Sequence, residues 1–377
     1  MIVVMPRAIE ALERDFSAWL GVPDTVATGY GRSAAYLAIH SLTRRIDSRT
    51  SKCEVLVPNL ICRQIPDAVR LAGAEVRYYR VPRDLVIRPE HLHAMVTSQT
   101  RAAIVPHFFG RVQPLLADLA RTCRELGIVL VEDCALALGA ITADGHMAGA
   151  CGGMAIFSFT KSDWCYGGGL LTARDPLCAQ HARLRVTSEF ANAARSAWDY
   201  GLLRRADFAS NRPSRARAAE FVGRWVERVC GMRGRNFFDF ADFHCAMSMA
   251  AARRARRVLR ELPTTISRRR QILAALYEAL RDTPLLFRPQ PDSGDTGSFL
   301  LLCSTDGAAA RWRELAAEAG VTLRLIWPAY QELEPAQGSP DLSWLASHLL
   351  LMEIHPELST REIHHIVGVL KRLAGTA

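Results

Sequence analysis

The sequence predicts an α/β protein built on a largely parallel sheet, followed by a smaller α+β unit. Three observations point there. Short β-rich runs alternate with helical stretches between about residues 54 and 132, a rhythm that parallel sheets need because each crossover between strands is a helix. That rhythm gives way to a helix-rich stretch ending near Leu280, and a second, compact series of strands and helices begins at Ser298. The 377 residues are 49% apolar, enough for one large core and a smaller one. We therefore expect a large domain over residues 1–255, including an N-terminal helix, and a small C-terminal domain over residues 256–377.

Ala8 to Gly21 places Ile9, Leu12, Phe16, Trp19 and Leu20 at helical spacing and stops at a glycine, so it reads as an amphipathic helix. A second helix runs from Ser33 toward Leu42. Strands are then expected at Glu54–Val57, Glu75–Val81, Ala102–Pro106 and Ile128–Glu132, with helices at Gln64–Gly73, from Pro89, and at Leu115–Gly127. Gly153–Phe159 and Gly168–Ala173 are two further strands flanking Lys161. In the C-terminal unit the expected strands are Phe299–Cys303, Val321–Ile326 and Leu350–Ile354, with helices at Ala308–Gly320 and Ser343–His348. The last helix opens on Ser359 and Glu362, a capping-box spacing, and aligns Ile363, Ile366, Val367 and Leu370 on one face.

Composition narrows the function classes. No apolar run approaches the roughly 20 residues that cross a bilayer, and Met1–Pro6 lacks the pattern of an export signal. A cytoplasmic protein is expected. The ten cysteines include no C-x-x-C pair, which suits reduced, packed thiols and gives no reason to expect a metal site. Part of the net charge of +9 comes from nine arginines between Arg204 and Arg235. The aromatic interleaving of a nucleic-acid platform is sparse there, which favours a solvated helical face. An anionic small molecule is a further reading.

Three places carry candidate chemistry. Asp133 ends the apolar run IVLVED, and in a parallel sheet that puts its carboxylate at the edge where ligands bind; a helix cap for the residues that follow is the alternative. Lys161 follows the strand AIFSF and precedes Gly167–Gly169 in a chain whose positive charge is mostly arginine. A lysine desolvated at such a strand end can lose its proton and attack an aldehyde; an exposed loop lysine is the alternative. Gly29–Ser33 precedes an apolar helix whose first N–H groups would suit a phosphate, or it is a plain turn.

A turn before a helix, a strand-end Asp, then Ser158 and Lys161 after a second strand is an order that looks like the fold-type I pyridoxal 5′-phosphate (PLP) enzymes. More narrowly, the chain resembles the DegT/DnrJ/StrS family of nucleotide-sugar aminotransferases. Val131–Ala140, VEDCALALGA, corresponds to the family's IEDAAQAHGA, and FSFTK at Phe157–Lys161 with the later YGGG at Tyr166–Gly169 to its FSF…TK…GEGG. Val57-Pro58, PHFFG at Pro106–Gly110, IWP at Ile326–Pro328 and MEIHPELS at Met352–Ser359 resemble further signatures, so the likeness spans most of the chain.

The resemblance implies an aspartate-aminotransferase-like large domain, PLP as cofactor, and transfer of an amino group from an amino acid donor to a small-molecule keto substrate. It makes Lys161 the catalytic residue, as Schiff-base partner and proton carrier, and places Asp133 on the pyridine nitrogen. Ser158 with Gly31, Arg32 and Ser33 would bind the phosphate. Asn236 would reach the phosphate of a partner subunit in a homodimer with shared active sites, or be a loop residue. Arg324, beside Trp327, is a candidate for the donor's carboxylate, with a surface position as the alternative. Cys62 stands where the family has a stacking aromatic, Leu136 where it has a Gln near the phenolic oxygen, Gly167 where it has a Glu and Asp239 where it has an Arg. Those departures keep two other readings in view: a PLP-dependent lyase, dehydratase or replacement enzyme on a non-sugar substrate, and a cofactor-free relative binding nucleic acid or protein through the arginine-rich segment.

Overall fold

The computed structural model describes residues 7–44, 53–161, 167–189, 191–192, 243–287, 292, 294–326 and 339–375. Its large sheet has seven strands: β1 (Asp24–Thr28), β2 (Glu54–Pro58), β3 (Glu75–Tyr79), β4 (Thr100–Pro106), β5 (Val129–Asp133), β6 (Met154–Ser158) and β7 (Gly169–Ala173). Their spatial order is β1-β7-β6-β5-β4-β2-β3. Pairings from β3 through β2, β4 and β5 to β6 are parallel, and β7 runs antiparallel between β6 and β1. The mostly parallel sheet is as the alternation predicts. Strand β1 is an addition to it.

Successive residues of each strand enter opposite layers, as a period of two requires. Leu56, Ala103, Val105 and Phe157 face one layer, while Val55, Val57, Ala102, Ile104 and Ile156 face the other. Helices α2 (Gly31–Thr43), α3 (Gln64–Leu71) and α6 (Pro176–Glu189) cover the second face, and α1 (Arg7–Leu20) and α5 (Leu116–Glu125) the first. A short helix, α4 (Pro89–His93), precedes β4. The periodic face of α1 buries Ile9, Leu12, Phe16 and Leu20, and Phe16 meets Phe157 edge-on at 4.8 Å. Removing Leu12 and Phe16 from water stabilises this layer by roughly 1.5–3 kcal/mol each.

Two-residue strands β8 (Ala191–Asn192) and β9 (Cys245–Ala246) pair in parallel. Helix α7 (Met249–Leu280) follows, a 32-residue helix with Pro263 inside it and Ser248 as a hydrogen-bonding N-cap. Its first half lies on the large core, through Ala251, Ala255, Val258 and Leu262. Its second half, with Ile272, Leu273 and Leu276, enters a separate core. The helix is therefore continuous across the expected join at 255/256.

That second core is closed by β10 (Phe299–Cys303), α8 (Ala309–Glu318), β11 (Arg324–Leu325), α9 (Pro340–His348), β12 (Leu349–Glu353) and α10 (Thr360–Leu373), with strand order β10-β12-β11, all antiparallel. The expected capping box is present: Glu362 N–H donates to Ser359 Oγ at 3.3 Å, and Ser359 N–H to Glu362 Oε2 at 2.9 Å. The strand expected over Val321–Ile326 shrinks to two residues, because only Arg324 and Leu325 pair with β12. No described helix is long and apolar enough to cross a membrane. The arginine-rich segment lies outside the described residues.

Candidate active site

The register of the sheet decides which residues meet. Pro106 of β4 pairs with Asp133 of β5, and Asp133 with Ile156 of β6. Gly169 of β7 pairs with both Ser158 of β6 and Thr28 of β1. The ends of β1, β4, β5 and β6 thus lie along one edge of the sheet, the carboxyl edge where parallel sheets bind ligands. Asp133, Ser158 and the Tyr30–Ser33 turn come from three separate strands to that edge, and Lys161 closes a single 3-10 turn, Phe159–Lys161, immediately after β6.

Asp133 is 8% exposed. One of its oxygens, Oδ1, accepts the N–H of Ala135 at 3.0 Å, and no other side-chain hydrogen bond holds it among the described residues. Burial raises its pKa, opposed by the Ala135 N–H and by the nearby charge of Lys161. A buried carboxylate with a free oxygen, within electrostatic reach of the strand-end lysine, suits a cationic partner at that oxygen.

The turn before α2 is shaped to approach Ser158. A Cβ on Gly31 would lie 2.9 Å from Ser158 Cβ and 3.3 Å from Ser158 Oγ, so the helix start reaches the serine only because residue 31 has no side chain. On its other side, a Cβ on Gly169 would lie 2.2 Å from the Tyr30 carbonyl and 2.5 Å from the Gly31 nitrogen. Ser158 Oγ and Thr160 Oγ1 share a hydrogen bond of 2.8 Å. The N-cap, Tyr30, is extended and offers no side-chain cap, and the favourable end of the helix dipole at this helix start suits an anion. Ser33 Oγ is buried without a hydrogen-bond partner among the described residues, an orphan donor at the same helix start. Arg32 is 7% exposed, its guanidinium 4.2 Å over the Tyr30 ring.

Two clusters beside these residues have no counterpart among the sequence-predicted candidates. Glu132, next to Asp133, accepts four hydrogen bonds in a fully buried position: from His107 Nε2 at 3.0 Å and from the backbone N–H groups of Gly149, Cys151 and Gly152 at 2.7, 2.9 and 2.5 Å. Gln113 N–H donates to His107 Nδ1 at 3.1 Å, so His107 is the neutral tautomer with its proton on Nε2. His107, Glu132 and Cys134 lie close enough to suggest a metal site, but every ring nitrogen and carboxylate oxygen of the first two is already engaged in these bonds. The second cluster docks the linker to the small domain on the loop after β4. Val112 N–H donates to Asp295 Oδ1, Thr296 N–H to the Gly110 carbonyl, both at 2.9 Å, and Arg111 NH2 to Tyr277 Oη at 3.1 Å. Burial pushes the Asp295 carboxyl up to about 6. Neither cluster has a sequence motif beyond the PHFFG and VED runs that contain His107 and Glu132.

Two of the remaining candidates follow strands of the same edge, Cys62 after β2 and Leu136 three residues past Asp133. Cys62 is half-buried in the loop after β2, and Leu136 packs against the large core. Arg324 sits in the small sheet, ion-paired with Glu353 at 3.4 Å. Asn236 and Trp327 lie outside the described residues.

Solved structures share this architecture. The aminotransferase TlmJ from Streptoalloteichus hindustanus is 22% identical over 98% of this chain and 91% of its own, with a TM-score of 0.74. DesI, crystallised in the presence of its TDP-sugar product, is 23% identical over 99% of this chain and 86% of its own (TM-score 0.73). Helicobacter pylori PseC, an aminotransferase involved in the biosynthesis of pseudoaminic acid, is 11% identical over 99% of this chain and 93% of its own (TM-score 0.76). A sequence model of the DegT/DnrJ/EryC1/StrS aminotransferase family matches residues 3–371, so the chain belongs to that family of PLP-dependent aminotransferases.

Proposed function

We propose that this enzyme moves an amino group from an amino acid donor to the keto group of a sugar, nucleotide-linked or otherwise part of a natural-product intermediate. The observation that carries the reading is one sheet edge that holds a buried Asp133 with a free oxygen, Lys161 one turn beyond β6, and an uncapped helix start against Ser158. The orphaned Ser33 Oγ and the close approach of the helix start to Ser158 that Gly31 permits support a phosphate at that helix start. The substrate class is drawn from the relatives: DesI was crystallised in the presence of its TDP-sugar product, and PseC is involved in the biosynthesis of pseudoaminic acid.

When bound, PLP supplies an electron sink that makes the carbon next to the donor's nitrogen acidic. The chain's own residues do the rest. Gly31, Arg32, Ser33 and Ser158 would bind the phosphate and so fix the cofactor's position. The free oxygen of Asp133 would accept the N–H of the cofactor's ring, and the low-dielectric surroundings would strengthen that pair. Lys161 Nζ would hold the cofactor's aldehyde carbon and, as a free amine, would move the proton between Nζ and the carbons of donor and acceptor. Asn236, Arg324 and Trp327 belong to this proposal through the family resemblance, as do a homodimer, a cytoplasmic location and the division at 255/256. The separate seven- and three-stranded sheets support two units, with the change of core along α7 falling after Leu262.

Leu136 favours a second reading, a lyase or replacement enzyme, because an apolar residue gives no hydrogen bond to the cofactor's phenolic oxygen. A donor screen separates the two. With glutamate, glutamine and aspartate offered singly, a transaminase forms one equivalent of 2-oxo acid per site while the cofactor converts to its amine form. Release of ammonia or another leaving group with the cofactor unchanged assigns the lyase and refutes the transaminase.

A further inference from the structure

Gln64 opens α3, and its side-chain amide lies against Arg32, in the second position of α2. Arg32 NH1 donates to Gln64 Oε1 at 3.2 Å. A guanidinium has donors and no acceptor, so the oxygen of the amide must face Arg32 and the nitrogen must face away from it. That nitrogen, Nε2, is buried and has no hydrogen-bond partner among the described residues. The guanidinium that orients it rests over the ring of Tyr30, the N-cap of α2, which places the amide beside the start of that helix.

Ser33 supplies an independent sign of a ligand there. The residue is fully buried and its Oγ is a second donor with no partner among the described residues. Helical side chains lean toward the N-terminus, so Oγ leans toward the start of α2. Buried donors left without acceptors are costly, and a ligand that brings acceptors removes the penalty. Around the two donors stand a buried guanidinium, an uncapped helix start and the Ser158–Thr160 hydroxyl pair. A group with several acceptor oxygens, no donor and negative charge matches that set.

We propose that Gln64, held in orientation by Arg32, is a cofactor-binding residue whose Nε2–H donates to the phosphate seated at the start of α2. This rests on the PLP reading above and adds to it a ligand from α3. Arg32 then acts twice, fixing the amide and contributing positive charge to the same anion.

The test compares PLP with pyridoxal, which lacks the phosphate, in titrations of the apo wild-type, Gln64→Leu and Gln64→Glu proteins, with urea unfolding of each apo protein alongside. Gln64→Leu should weaken PLP roughly ten- to a hundredfold, the range of one hydrogen bond to a charged group, and leave pyridoxal as it was. Gln64→Glu should weaken PLP further, since a carboxylate repels the phosphate, while its pairing with Arg32 keeps apo stability at or above wild type. The proposal is overturned if both compounds lose affinity together, which is what a purely structural glutamine would give, or if neither does. A wild-type chain that binds neither compound overturns the PLP reading, and this inference with it.

Discussion

Replacing Glu132 by Gln removes one charge and reverses one end of a side chain that has no room for a donor. The carboxylate accepts two bonds at Oε2, from His107 Nε2 and Gly149 N–H, and two at Oε1, from Cys151 and Gly152 N–H. Whichever end takes the amide nitrogen, two donors lose their acceptor. A switch of the His107 tautomer offers no escape, because Nδ1 already accepts Gln113 N–H and would then face it as a donor. At about 1–3 kcal/mol for each buried group left unpaired, the loss is roughly 2–6 kcal/mol. Against a net stability of about 5–15 kcal/mol that is a large fraction. Urea unfolding of the apo protein should show it as a lower midpoint with the slope kept. PLP affinity should fall as well, because the Gly149–Gly152 loop and the strand end carrying Asp133 are held through this one side chain. A Glu132→Gln protein that loses under about 1 kcal/mol would refute the reasoning, since it would show that the four bonds are not made as described.

Gly169→Ala tests the phosphate turn. An added Cβ would lie 2.2 Å from the Tyr30 carbonyl, and because the obstacle is backbone, the helix start must move away from Ser158. Overpacking of this kind costs roughly 1–3 kcal/mol, more than the roughly 0.5–1 kcal/mol that Ala gains over Gly from chain entropy; weaker PLP binding in a titration is the expected result. A second prediction concerns acid. His40 of α2 meets His181 of α6 at 3.1 Å, and burial, with Arg185, His181, Arg44 and His244 around it, lowers its pKa from the ordinary 6.5 to about 4. The folded state therefore favours neutral His40, so its contribution is whole above pH 6.5 and is lost as pH falls toward 4. Urea midpoints measured across that window should fall with pH in the wild type and fall less steeply in His40→Gln.

How much of this is legible in the sequence depends on where each signal resides. Strands β4, β5 and β6 each contain an apolar run, Ala102–Pro106, Val129–Val131 and Met154–Phe157, because both faces are covered, and such runs stand out in the chain. β1 does not, since Asp24-Thr-Val-Ala-Thr28 is short and half polar. Its threonines become buried only because Thr25 finds Ser17 Oγ and Thr28 finds the Tyr30 carbonyl, both at 2.8 Å, and those partners are not neighbours in any periodic pattern. Asp133 and Lys161 are readable as strand-end residues in a familiar order. Their meeting at one edge is not, because it depends on the register Pro106–Asp133–Ile156. Glu132 reads as one more residue of an apolar run ending in acid, and its four donors come from residues 17 to 25 positions away that no spacing rule connects. Gln64 is hidden for the same reason: its role appears only when α3 is laid beside α2 and Arg32 fixes its amide.

That Lys161 carries the cofactor can be tested directly, because Lys52, Lys161 and Lys371 are the chain's only lysines. The protein is loaded with PLP, reduced with borohydride, digested and read by mass spectrometry. The reduced cofactor should appear on the peptide containing Lys161, at one equivalent per chain, with no such adduct in Lys161→Ala. A label on Lys52 or Lys371, or none on a wild-type protein that still transaminates, would contradict the assignment.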